Sequence, residues 1–208
     1  AYKGGVNYSD TFGVTAIWET IIYRHLYQQQ IAIPFYEEKI KSSYPGGYVK
    51  DPMVGMHDNV VSFDLNSLYP SLIMQYNMST ETIAEGVVAQ IDIEKILEGQ
   101  QINNKGYSVG GNGQCFHTKT KGVMPKLVDT MYSDRVQIKK DMLQAQKDLQ
   151  IIDKADKQKL YDIERRINIA ENRQMAIKIL LNSLYVAMGN KYFRFFDQRI
   201  AEAITLSG

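Results

Sequence analysis

The sequence predicts an α+β fold, and three observations carry that expectation. Two long stretches, 124–150 and 160–184, repeat apolar residues every three or four positions, as amphipathic helices require. A short run at 59–63 is instead dense in β-branched and aromatic residues, as a buried strand is. Glycine and proline interrupt the chain between such patterns, most densely at 106–113, and no internal repeat or low-complexity run appears.

Taken in order, 15–30 reads as a connecting helix that packs on the sheet through Ile17, Ile21, Ile22 and Leu26. The strand at 59–63 delivers Asp64 to its end. Ser67, Leu68 and Tyr69 form a turn before Pro70, and a helical run follows over 71–76. Ile91 to Leu97 suits a short helix. The glycine-rich stretch, with Gly110, Gly111 and Gly113, lacks the lysine and Ser/Thr of a Walker element and reads as a connection or hairpin.

The first long helix carries Leu127, Val128, Met131, Tyr132, Val136, Ile138, Met142, Leu143 and Leu149, with Pro125 in its first turn. After a polar break at 153–156, the second carries Leu160, Ile163, Ile167, Ile169, Met175, Ile179, Leu180 and Leu184, so the two read as an antiparallel pair. Strands are expected again after Asn190.

Composition excludes little. The formal net charge is +1, yet residues 119–189 hold 14 Lys+Arg against 9 Asp+Glu, leaving 10 against 14 elsewhere. Such an excess is either a solvated helix face or an anion-binding one. Cys115 is the single cysteine, so no internal disulfide forms, and no Cys/His cluster has zinc spacing. A reducing, cytoplasmic compartment is the expectation. No apolar run reaches bilayer length and no basic-then-apolar leader opens the chain, so no membrane partner is expected. The chain starts and stops in mid-pattern and reads as a piece. His25, His57 and His117 have no partner at ligand spacing.

Two stretches concentrate the chemistry. Asp64-Leu65-Asn66-Ser67-Leu68-Tyr69-Pro70-Ser71 sets a carboxylate five residues before an aromatic ring. Asp64 suits a Mg²⁺ ligand, because Mg²⁺ takes carboxylate oxygens together with substrate phosphates, and it equally suits a helix or turn cap. Lys178-Ile179-Leu180-Leu181-Asn182-Ser183-Leu184-Tyr185 places Lys178, Asn182 and Tyr185 on one helical face. Arg135 and Lys139, four apart on the preceding helix, add a second basic face. A triphosphate would suit a cleft between the two faces, with the arginine fork on phosphate oxygens and the lysines as point charges.

The first stretch resembles motif A of the family B, or alpha-type, DNA polymerases, D-x-x-S-L-Y-P-S. The second is similar to motif B, K-x-x-x-N-S-x-Y-G. Phe193-Arg194-Phe195-Phe196-Asp197 and Tyr44-Pro45-Gly46-Gly47-Tyr48 resemble the T-even bacteriophage branch, the latter matching its tyrosine-glycine-glycine element. The resemblance implies a partial palm interrupted by helical fingers. Residues 1–118 would be the exonuclease-to-polymerase connection and the N-terminal palm, 119–189 the fingers, and 190–208 the return into the palm.

The activity implied is template-directed addition of deoxynucleoside triphosphates to a primer 3′-hydroxyl, with two Mg²⁺ as cofactors. Primer-template DNA is the implied partner, and a sliding clamp a possible one for the full protein. Asp64 and the Leu65 carbonyl would bind metal. Ser67, Leu68, Arg135, Lys139, Lys178 and Asn182 would serve the triphosphate. Tyr69 would lie under the sugar and exclude a 2′-hydroxyl, or else pack beside Pro70 as a core residue. Tyr185 would test the nascent base pair, or else pack between helices.

Three departures bound this expectation. No Asp-Thr-Asp motif occurs, so the two-metal site is incomplete and the isolated chain is expected not to extend primers. Val186 stands where the family has glycine, which questions local helix geometry and template contact. No proofreading carboxylate cluster or thumb is recognisable. A non-catalytic nucleotide- or DNA-binding module is the competing expectation.

Overall fold

A computed structural model describes residues 4–44, 46, 47, 49–99, 106–152 and 156–208. Pro45 and Tyr48 of the tyrosine-glycine-glycine stretch lie outside the described residues, as do 153–155 of the polar break. The architecture is α+β: a small antiparallel sheet beside a long helical hairpin.

Helix α1, Val14–Gln28, buries Trp18, Ile21, Ile22 and Leu26, and Ile17 packs against the same core. Trp18 has no exposed surface, and its indole N–H donates to Ser183 Oγ at 3.1 Å, which removes the cost of burying that donor. Helix α2, Leu68–Gln75, begins three residues earlier than expected and takes Tyr69 and Pro70 into its first turn. Proline is tolerated there because those N–H groups have no intrahelical acceptor. The chain leaves α2 through Asn77, at φ 55, while Met78 N–H donates back to the Ile73 carbonyl at 3.0 Å. A left-handed asparagine after the helix is a normal terminator.

Strand β1, Ile83–Val88, pairs antiparallel with β3, Gln114–Phe116, which pairs in turn with β2, Ser108–Val109. Between β1 and β2 lies α3, Ile93–Leu97, as expected. The glycine-rich stretch is the β2–β3 hairpin, and packing explains two of its glycines. A Cβ on Gly111 would overlap the Leu206 backbone, and one on Gly113, at φ +84, would overlap the Ala89 carbonyl. Cys115 is buried in β3.

Helices α4, Val123–Ile151, and α5, Lys157–Met188, are 29 and 32 residues long and pack along each other as the expected hairpin. At 1.5 Å per residue each spans roughly 45 Å. Gly122 precedes α4, and Asp156 caps α5 by accepting from Lys159 N–H. Helix α6, Gln198–Ser207, closes the core with Ile200, Ala201, Ala203 and Ile204.

Two expected strands are corrected. Residues 59–63 form none, and Val60, Val61 and Phe63 are 74%, 71% and 91% exposed. A strand exists only with a neighbour's ladder, and β1, β3 and β2 pair among themselves, so the apolar run stays irregular and unpaired. After Asn190 the chain turns rather than pairing, with Phe193, Phe195 and Phe196 buried as a knot. It then becomes helical because Asp197 accepts from Arg199 N–H at 2.9 Å, a capping signal that overrides the aromatic run.

Candidate functional site

The motif A helix is entered through Ser67, which sits in the left-handed region at φ 55, ψ 47 and offers no side-chain cap. Its carbonyl accepts from Ser71 N–H at 2.9 Å. Ser67 is thus the N-cap of α2, and Asp64, exposed on the irregular segment before it, does not cap that helix. Leu65 is also exposed, whereas Ser67, Leu68 and Tyr69 are half-buried.

Folding brings the two motif tyrosines into contact. The Tyr69 and Tyr185 rings lie 4.6 Å apart between centroids, tilted by 44°. That is within the range in which aromatic pairs attract beyond their area burial. The Tyr185 hydroxyl is bonded to Thr205 Oγ1 at 2.7 Å, and Thr205 donates onward to the Ala201 carbonyl at 3.0 Å. Tyr44 joins the same cluster. Burial pushes its hydroxyl up to about 12, helped by the neighbouring Tyr185 hydroxyl and the Glu202 carboxylate. Lys41 lies 5.7 Å above the Tyr44 ring and donates to the Gly189 carbonyl at 2.7 Å, tying this segment to the end of α5.

Sequence reasoning missed Lys41 and Thr205 altogether. Tyr44 was legible through its motif. Thr205 carries no such signal, since only the packing of α6 beside α5 brings its hydroxyl to Tyr185.

The basic residues are disposed along the hairpin. Arg135 and Lys139 lie on α4, Lys178 and Asn182 on α5. Lys139, Lys178 and Asn182 are exposed, while Arg135 is half-buried with its Nε enclosed. Val186 is 58% exposed and α5 runs through it to Met188, so valine here leaves the helix intact.

Among the described residues no group of three or more His, Cys, Asp or Glu side chains could hold a metal ion. Asp64 and the Leu65 carbonyl, the expected ligand pair, would not make a two-ion site by themselves. Asp197 is engaged elsewhere: it caps α6 and bonds Arg199 Nε at 3.0 Å and Nη2 at 2.7 Å. The same guanidinium grips Glu85 of β1 at 2.8 and 3.0 Å, joining α6 to the sheet and holding the Glu85 carboxyl below its usual range. Among the described residues no helix is long and apolar enough to cross a membrane.

The sequence profile of DNA polymerase family B matches residues 13–208, and the chain belongs to that family. Within it, the chain is 29% identical over 242 residues to the DNA-directed DNA polymerase of Escherichia phage RB69, covering all of this chain and 27% of that protein. It is 28% identical over 244 residues to the DNA-directed DNA polymerase of Enterobacteria phage T4, with the same coverage. It is also 32% identical over 174 residues to DNA polymerase 1 of Pyrococcus abyssi, covering 83% of this chain and 18% of that protein. The chain thus spans about a quarter of the length of the phage relatives it matches.

Proposed function

We propose that this chain is the nucleotide-selecting part of a template-directed DNA polymerase, which adds deoxynucleoside triphosphates to a primer 3′-hydroxyl. On this reading residues 119–189 are the fingers, 1–118 the connection and first part of the palm, and 190–208 the return into the palm. The observation that carries it is the Tyr69–Tyr185 contact, which joins motif A to motif B at the foot of the basic hairpin. Family membership over 13–208 supports it independently.

In this role Arg135, Lys139, Lys178 and Asn182 bind the triphosphate, with Ser67 and Leu68 beside it. Tyr69 lies under the sugar, where its ring excludes a 2′-hydroxyl by collision. Tyr185, buttressed by Thr205, bounds the nascent base pair. Two Mg²⁺ are the cofactors of the full-length enzyme, to which this chain brings Asp64 and the Leu65 carbonyl. Primer-template DNA is the macromolecular partner, with a sliding clamp and a host-cytoplasmic setting suggested by the T-even likeness.

A second reading is a nucleotide- or DNA-binding module without turnover, which the basic residues Arg135, Lys139 and Lys178 on the two hairpin helices would also serve. Titrating a deoxynucleoside triphosphate with Mg²⁺ into the chain and its Lys178→Ala variant by calorimetry, beside a primer-extension assay, tests both. Binding lost in the variant with no extension by either supports a polymerase part that needs the longer protein. Extension by the chain alone refutes the incomplete-site argument, and equal binding refutes the fingers assignment.

A further inference from the structure

The two hairpin helices meet along a seam of buried apolar side chains, Met124, Val128 and Met131 on α4 and Ile177, Leu181 and Leu184 on α5. Continued by the same steps of three and four, the seam reaches Arg135 on one helix and Gln174 on the other. Arg135 stands sixteen residues before Ile151 and Gln174 seventeen after Lys157, so an antiparallel pair in even register would set them at one level. Gln174 is only 8% exposed.

Two buried side-chain polar atoms among the described residues have no hydrogen-bond partner: Nε of Arg135 and Oε1 of Gln174. One is a donor and the other an acceptor. Orphaned polar atoms inside a protein are costly and uncommon. Two complementary ones on a single seam point to a bond made in another arrangement of the same helices.

We propose that Gln174 is a positioning residue: when the hairpin engages nucleotide, its Oε1 accepts from Arg135 Nε–H and fixes the plane of the guanidinium. This rests on reading Arg135 as a triphosphate ligand. A guanidinium anchored through Nε presents its two Nη groups as a rigid fork, the geometry that grips two phosphate oxygens at once. Without the anchor, the long side chain must surrender rotamer freedom on each binding event.

Polar seam residues also set helix register, and the experiment separates the two roles. Single-turnover incorporation by the full-length polymerase, across triphosphate concentrations, reads apparent Kd apart from maximal rate. Gln174→Leu is expected to raise the apparent Kd about tenfold, the effect of one hydrogen bond to a charged group. Its melting temperature holds or rises, because a good helix former replaces an unpaired buried acceptor. Gln174→Glu keeps the acceptor and the affinity. In an Arg135→Lys background, which lacks the fork, Gln174→Leu adds nothing. An unchanged Kd in Gln174→Leu, or a penalty additive with Arg135→Lys, overturns the proposal, as does a loss of stability alone. If Arg135→Lys and Lys178→Ala also keep full affinity, the nucleotide-site reading falls too; affinity lost in those two but kept in Gln174→Leu overturns this inference alone.

Discussion

Asn77 is the stitch between the helix that carries Tyr69 and the helix that carries Arg135, and its removal gives a prediction with a calculable size. Its amide donates to the carbonyls of His117 at 2.7 Å and Thr120 at 2.9 Å, and its side-chain oxygen accepts from Gly122 N–H at 2.9 Å. The residue is 9% exposed, so water replaces these partners poorly. Asn77→Ala deletes three bonds worth about 1 kcal/mol each. It also places a Cβ-bearing residue without asparagine's tolerance at φ 55, adding about 1 kcal/mol. The expected loss is therefore about 4 kcal/mol, measured by urea unfolding followed by circular dichroism at unchanged slope. Asn77→Gly, which accepts the left-handed backbone, should lose about 1 kcal/mol less. Asn77→Asp keeps the acceptor but aims a carboxylate oxygen at two carbonyls, so it should be as damaging as alanine. A loss under about 1 kcal/mol in Asn77→Ala, or near-native stability in Asn77→Asp, would refute the reasoning that the two donor bonds hold α2 to the start of α4.

Two further outcomes follow from packing and charge. Gly111→Ala forces the β2–β3 turn away from the Leu206 backbone and should cost about 2 kcal/mol, whereas Gly86→Ala, at φ +71 but in open space, should cost about 1 kcal/mol of backbone strain; denaturant midpoints compare them. Burial first, and then Lys126, hold the His25 imidazole below its ordinary 6.5, so the unfolded chain binds protons more readily and stability falls as pH drops through 6.5. His25→Gln should remove that part of the acid loss, and Lys126→Gln should raise the His25 titration midpoint seen by NMR.

Much of this protein is legible in one dimension. The hairpin was readable because amphipathic periodicity over two dozen residues is a local property that packing then exploits. The two motifs were readable because the order and types of their residues resemble those of the family to which the chain belongs. The short helix at Ile93–Leu97 and the glycine hairpin were legible from local composition and turn residues.

The strands were not, and the reason is non-local. Val60, Val61 and Phe63 have the composition of a strand, yet a strand is a property of two segments, and no described segment offers them a ladder. Conversely β1 and β3 carry weak patterns and form because their partners lie beside them. The same holds within the site. Sequence alone determined which side chains the two motifs supply. Only tertiary structure set the Tyr69 ring on Tyr185, brought Thr205 to the Tyr185 hydroxyl, and buried Arg135 Nε and Gln174 Oε1 without partners. Side-chain chemistry is encoded residue by residue, whereas contact between distant residues is decided when the buried faces of several elements must fit one core.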